Sequence, residues 1–241
     1  MKFINLRFLV IPVATVLLAP ISAVATTIDF SSIGGPGDTG SSTYVNPATG
    51  LTVSGLWKDD ATWKPANLYI RNDADDHGLG ICSPADDPPC PGPTNGGDFN
   101  ELDNAGAPEL IRLTLPAGYE WVSVQLSSLD TNSGTGSEFG RLWADLDGNP
   151  STFDLTMVLW KFMGTAASGP AVEPSFLIPG SAASSPYLFF EPFDWRPTGL
   201  SSNNDFLVYQ ATINQTRVPE PATLSVLGIG LLALSRLRRR R

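Results

Sequence analysis

Histidine occurs once in this chain of 241 residues, at His77, and cysteine only twice, at Cys82 and Cys90. A nucleophilic triad has a single imidazole to build on, and no serine stands in a Gly-x-Ser-x-Gly elbow, so hydrolase templates of that kind have no anchor. Structural zinc takes four ligands, which two sulfurs and one imidazole do not supply. No Gly-rich turn links a strand to a helix as phosphate binding requires, and no fixed-period repeat is visible, which argues against a nucleotide-binding α/β fold and against a solenoid. Basic residues are also scarce in the middle of the chain. Between Thr26 and Arg217 there are 8 Lys plus Arg against 23 Asp plus Glu, a formal charge of −15. That field repels phosphates, so no nucleic-acid role is expected, and neutral glycans, cations or basic surfaces are the expected partners.

What is present begins with an export signal. Lys2 and Arg7 precede a run from Phe8 to Leu18 that is apolar apart from Thr15, and Ala23-Val24-Ala25 gives the small-x-small pattern accepted by signal peptidase. The run is shorter than the ~20 residues of a membrane span, so a signal helix cleaved after Ala25 is expected. This divides the chain into a signal peptide at 1–25, a body at 26–213, a linker at 214–218 and a tail at 219–241. A body of about 190 residues suffices for one hydrophobic core. An exported chain matures where disulfides persist, so Cys82 and Cys90 are expected to staple the Pro-rich loop between them.

The body reads as β. Runs rich in Val, Ile, Thr, Phe, Tyr and Trp recur between Gly, Pro, Asn and Asp clusters, with little helical periodicity. Candidate strands are Ile28–Phe30, Thr43–Val45, Leu51–Trp57, Asn67–Arg71, Gly78–Ile81, Glu109–Leu115, Tyr119–Leu126, Arg141–Leu146, Phe153–Phe162, Ser175–Ile178, Tyr187–Glu191 and Asp205–Ile213. In Glu109–Leu115 the residues Leu110, Arg112 and Thr114 share one face and Ile111, Leu113 and Leu115 the other. In the next run Trp121, Ser123 and Gln125 oppose Val122, Val124 and Leu126. Pro116-Ala117-Gly118 between them predicts a hairpin, as does Asp147-Gly148 before Phe153–Phe162. The expected fold is all-β, an antiparallel jelly-roll-like sandwich.

Two sets of residues invite a binding role. From Asn72 to Ala107 the chain is a long irregular excursion carrying Asp73, Asp75, Asp76, Asp98, Glu101 and Asp103, hard oxygen donors of the kind Ca²⁺ takes. The EF-hand template fails, because His77 holds the fifth position and Pro84 the twelfth. A non-EF calcium site and a solvated acidic loop are therefore both open. Asp145-Leu-Asp147-Gly-Asn149 is a second acidic turn that turn chemistry alone explains. Of the six tryptophans, Trp57 and Trp63 lie beside Lys58, Asp59, Asp60 and Lys64 in an expected loop, which makes them the candidate sugar-stacking pair. No spacing singles out a carboxylate pair for glycoside hydrolysis.

The tail is the most specific segment. Val218-Pro219-Glu220-Pro221 leads into an uncharged run, Ala222 to Ser235, and then into Arg236-Leu237-Arg238-Arg239-Arg240-Arg241. The two prolines hold the glutamate in an extended, helix-free element. The 17 residues from Pro221 to Leu237 span roughly 25 Å as a helix, slightly short of the ~30 Å hydrocarbon core, and snorkelling arginines and local thinning make up the difference. Arg236, Arg238, Arg239, Arg240 and Arg241 form a membrane stop that stays cytoplasmic, which places the acidic body outside.

This segment resembles the PEP-CTERM sorting domain of exported proteins in Gram-negative bacteria. The resemblance implies that Pro219, Glu220 and Pro221 are read by an exosortase, a membrane cysteine peptidase that cuts near the motif. It also implies inner-membrane anchoring with the body in the periplasm, followed by display at the cell surface or in the extracellular matrix. More loosely, Ile28-Asp29-Phe30, Gly78-Leu79-Gly80-Ile81 and Glu109-Leu110-Ile111-Arg112-Leu113 resemble the β-sandwich ectodomains common in such proteins. Two functions are carried forward: a non-catalytic surface protein binding glycans or divalent cations, and an exported hydrolase acting on extracellular polysaccharide.

Overall fold

The computed structural model describes residues 24–72, 76–84, 100–104, 107–129, 131–132, 136–152, 157–163, 173–193, 204–216 and 230. Strands dominate, and they assemble into two antiparallel sheets. The first sheet holds β1 (Ala25–Asp29), β2 (Gly37–Asp38), β6 (Asn67–Asn72), β7 (His77–Cys82), β8 (Leu102–Asp103), β10 (Tyr119–Ser127), β15 (Phe176–Leu177) and β17 (Asp205–Gln215). The second holds β3 (Thr43–Val45), β4 (Thr52–Asp59), β5 (Thr62–Pro65), β9 (Glu109–Thr114), β13 (Phe139–Asp145), β14 (Val158–Met163) and β16 (Tyr187–Pro192). A separate ribbon pairs β11 (Thr131–Asn132) with β12 (Gly136–Ser137).

The sheets are joined by one core, because alternate residues of each turn inward. Leu68, Ile70, Leu79, Ile81, Phe206, Val208 and Ile213 of the first sheet meet Val53, Ile111, Leu113, Leu142, Leu188 and Phe190 of the second in a single buried cluster. Trp121 joins it and donates its indole N–H to the Ser185 carbonyl at 2.8 Å, so its one polar atom is satisfied. The centre of the first sheet is the last strand of the body. β17 pairs with β10 and β7 along the sheet and also bonds β1 and β8.

The sheets correct three expectations. The Pro-Ala-Gly turn does not make a hairpin: β9 pairs with β4 and β16 in one sheet, and β10 with β15 and β17 in the other. Both runs have an inward apolar face, and the turn, closed by Tyr119 N–H donating to the Pro116 carbonyl, carries the chain across the core. Strict alternation along β10 also fails, since Trp121 and Val124 both reach the core. A bulge between Trp121 and Ser123 inserts Val122 and reverses the phase. Finally, β17 runs to Gln215 because Ala25 opposes Asn214 and Tyr119 opposes Gln215, so the strand takes two positions expected in the linker. The other predicted hairpin is present: β13 and β14 pair from Phe139↔Met163 to Trp143↔Val158, with a 3₁₀ turn at Pro150–Thr152 in the connection.

Of the expected signal segment at 1–25 and sorting tail at 219–241, only Val24, Ala25 and Gly230 are among the described residues, and Ala25 opens β1; the rest of both lies outside them. Among the described residues no helix is long and apolar enough to cross a membrane.

Candidate functional site

A second, smaller apolar cluster lies on the outer face of the second sheet. Leu110, Trp143 and Phe189 are buried there, and Leu56, Trp63, Val158 and Tyr187 pack against them. Register explains the gathering: Leu56 opposes Leu110, Arg112 opposes Phe189, Phe189 opposes Trp143, and Arg141 opposes Glu191, so outward side chains from four strands form continuous rows. Trp143 and Phe189 stack with centroids 5.0 Å apart.

The wall of this face is the β4–β5 hairpin. Its two-residue connection, Asp60-Ala61, lets Asp59 oppose Thr62 and needs a positive φ of 53° at Asp60. Trp63 opposes Lys58 and Trp57 opposes Lys64, so the two tryptophans stand on opposite faces of the ribbon. Trp57 packs against the main core, and Trp63 against the outer cluster. Lys58 lies over the Trp63 ring at 5.7 Å and Lys64 over Trp57 at 6.0 Å. The structure therefore places the expected sugar-stacking pair apart and leaves Trp63 alone over the outer face.

Opposite Trp63 stands the connection from β13 to β14. Asp145 accepts from the Leu146 and Gly148 N–H groups at 2.7 and 3.1 Å, and Asp147 from Asn149 N–H at 2.8 Å, so the second acidic turn is spent on its own backbone. The Asn149 N–H bond, chiefly, holds the Asp147 carboxyl below its ordinary pKa. Gly148 has φ +71°, and a Cβ there would meet the Tyr187 ring at 2.7 Å. Only glycine fits this corner.

Between the hairpin and the turn run two adjoining cavities. One, of about 500 Å³, is lined by Leu56, Trp63, Arg112, Gly148, Asn149 and Ser151 among others. The second, of about 440 Å³, shares Trp63, Pro150 and Ser151 with it and continues to Lys58, Arg141, Trp143 and Glu191. Arg141 Nε and Nη2 both reach Glu191 Oε2 at 2.6 Å. Burial raises the Glu191 pKa, against the pull of the Arg141 and Lys58 charges. Arg112 donates from Nη1 to the Gly148 carbonyl at 2.9 Å and lies 5.8 Å from the Tyr187 ring centroid. The floor is thus aromatic, with charged and amide groups around it, the composition of a site that orients a polar ligand against a flat apolar surface.

The acidic excursion has a different role. β6 and β7 pair antiparallel as far as Asn72 opposite His77. Arg71 pairs with both Asp76 and Glu101, and the Ser128 hydroxyl bridges the same two carboxylates at 2.8 and 2.9 Å from a positive φ of 61°. Glu101 is buried, and desolvation first, then the Asp205 charge, raise its pKa well above the ordinary range despite Arg71. Asp103 is buried as well, and its N–H donates to Glu109 Oε2 at 3.1 Å. Of the six candidate calcium ligands, Asp76 and Glu101 thus share a guanidinium, Asp103 belongs to β8, and Asp73, Asp75 and Asp98 lie outside the described residues. No group of three His, Cys, Asp or Glu side chains among the described residues is arranged to hold a metal ion. Cys82 closes β7 and is buried, and no free cysteine stands among the described residues. Cys90 lies outside them, as do Pro219, Glu220, Pro221 and the terminal arginines.

Sequence reasoning missed Arg112, Arg141, Trp143 and Glu191. The outward phase of Arg112 was readable, but no local signal shows that the three strands carrying these residues lie side by side.

No curated protein matches the chain. Among solved structures, the K1 cleaved adhesin domain of Lys-gingipain (Kgp) from Porphyromonas gingivalis W83 is similar at 15% identity over 81% of this chain and 94% of that one, with a TM-score of 0.27, too loose a likeness to carry an argument. The PEP-CTERM protein-sorting motif matches residues 217–241, the segment with the proline-flanked glutamate and the arginine stop. Behind an all-β body of two antiparallel sheets the chain thus carries a PEP-CTERM sorting motif, which implies export and processing by an exosortase.

Proposed function

We propose that this PEP-CTERM protein is a non-catalytic surface or matrix component whose body holds an extracellular glycan in the groove beneath Trp63. The carrying observation is the pair of adjoining cavities that share Trp63 and Ser151 over a floor of Trp143 and Arg112. A sugar ring presents an apolar face that stacks on indole and a rim of hydroxyls that bond to Asn, Ser, Arg and carboxylate groups, and both kinds of partner meet at this surface. In this reading the body is a jelly-roll-like sandwich, supported by the crossing of the chain between sheets after β9. The tail anchors it in the inner membrane until exosortase acts, and display outside the cell follows.

Non-catalysis is supported by the pairing of the groove's buried carboxylate: Glu191 is bound to Arg141, and a general acid would need its proton free for a leaving group. The test is a glycan array probed with the full-length chain in detergent, as wild type and as Trp63→Ala. Retention of a glycan by the wild type, at least tenfold weaker retention by the variant and no released product is the expected result. Released sugar would assign the groove to an exported polysaccharide hydrolase instead, and equal retention by the variant would remove Trp63 from the site.

A further inference from the structure

The charge of the groove runs against that of the body. Six Lys and Arg residues lie among the described residues of the body, and five of them, Lys58, Lys64, Arg112, Arg141 and Lys161, sit on strands of the second sheet. Register puts Arg141 opposite Lys161 and opens Lys58 and Arg112 to the same outer face. Several of these cations are paired with carboxylates. Lys64 pairs with Asp59, Arg141 with Glu191, and Arg71 of the first sheet with Asp76 and Glu101.

Arg112 is different. Its one hydrogen bond goes to the Gly148 carbonyl, no carboxylate among the described residues pairs with it, and its Nε is sealed from water without a partner. A guanidinium has five N–H donors, so most of this one's capacity is unspent. It lines the 500 Å³ cavity, whose described lining contains no acidic side chain. A half-buried cation that is short of hydrogen bonds, in a cavity free of carboxylates, is costly in the empty protein and becomes favourable when an anion enters.

We infer that the groove is selective for acidic glycans, with the anionic group of a uronic or sulfated sugar unit seated in the cavity against Arg112 and the adjoining ring stacked on Trp63. The inference rests on the glycan-binding reading above and adds the substrate class. The planar guanidinium fork matches a carboxylate most closely, and the neighbouring cavity with its Arg141–Glu191 pair accommodates the next, uncharged edge of the chain. A body of charge −15 disfavours such a ligand on average, so a local reversal of sign also helps to fix where the ligand lands.

The experiment is equilibrium binding to the full-length chain in detergent, by calorimetry, of three oligosaccharides of equal length: a uronate, its carboxyl-reduced counterpart and a sulfated one. The uronate is expected to bind about tenfold or more tightly than its reduced counterpart, and Arg112→Gln to bring the two ligands to within about twofold of each other, whatever affinity for the neutral one remains. A sulfated ligand that matches the uronate assigns the seat to anionic sugars in general, and one that does not bind assigns it to carboxylates. The comparison of acidic with reduced ligand on the wild type needs no variant to fold. Equal binding of these two overturns the inference and leaves glycan binding standing, whereas failure of all three ligands, together with a blank array, removes both.

Discussion

Gly80→Ala is the sharpest test of how the acidic excursion packs. Gly80 lies in β7, and a Cβ built on it would stand 2.1 Å from the Asn100 carbonyl oxygen and 2.7 Å from Glu101 Cα. Ordinary contact begins at 3.4 Å, so backbone would have to withdraw by about 1.3 Å, with no flexible side chain to yield instead. Overpacking alone costs ~1–3 kcal/mol. The withdrawal also strains the Ile81 N–H bond to the Glu101 carbonyl and shifts Glu101 against Arg71 and Ser128, a further ~1–3 kcal/mol if one buried partner is lost. The expected loss is about 2–6 kcal/mol, a fall in Tm of roughly 5–20 °C for a body of this size. Gly180 is the control, since nothing lies within 4 Å of its built Cβ and Ala there should stay within about 1 kcal/mol of wild type. Thermal and urea unfolding of the full-length chain in mild detergent, followed by tryptophan fluorescence, reads both variants. Equal midpoints for Gly80→Ala and Gly180→Ala would mean that 100–101 does not lie against β7, and the buried network described above would go with it.

Two further outcomes are expected. Because Glu101 is protonated more readily in the folded protein than in the unfolded chain, its contribution to stability is complete below about pH 4.5 and is lost as pH rises through the raised folded value. Glu101→Gln should therefore flatten the fall in Tm above pH 4.5, and a slope identical to wild type would show that Glu101 is not the group responsible. Deleting 218–241 should release the body from membrane fractions and abolish exosortase-dependent shortening of the chain in pulse-chase gels; unchanged retention or processing would count against the tail as the anchor.

Much of the fold was legible because apolar alternation is a local property. Asn67–Arg71, Glu109–Leu115, Tyr187–Glu191 and Asp205–Ile213 are strands within a residue or two of where patterning puts them. What connects to what is not local. Pro116-Ala117-Gly118 has the composition of a hairpin turn, yet two inward-facing strands gain more by closing on each other across the core than by pairing edge to edge. Conversely, Asp60-Ala61 makes a two-residue hairpin without the Asn-Gly or Asp-Gly signal that usually marks one, because the cross-strand pairs Lys58–Trp63 and Trp57–Lys64 hold its register. The β10 bulge was invisible for the same reason, since its phase is set by β17, more than eighty residues away. The site was legible only through Trp63. Averaging charge over the body gave −15 and pointed to neutral glycans, cations or basic surfaces, whereas the groove's Arg112 acquires its meaning from Gly148 and Tyr187, which only the fold brings beside it.

The place of β17 bears on how the body would carry load if its tail were anchored. Eleven residues long and bonded on both sides, it ends at Gln215, and the sorting motif begins at 217. Were the body held by its tail, tension would enter along the axis of the most embedded strand, where the flanking ladders would resist in shear and share the force instead of opening one by one. The same arrangement makes this strand the last piece of the sheet to leave the secretion channel. In such a tethered body the strand next to the anchor would also be the one on which the sheet closes.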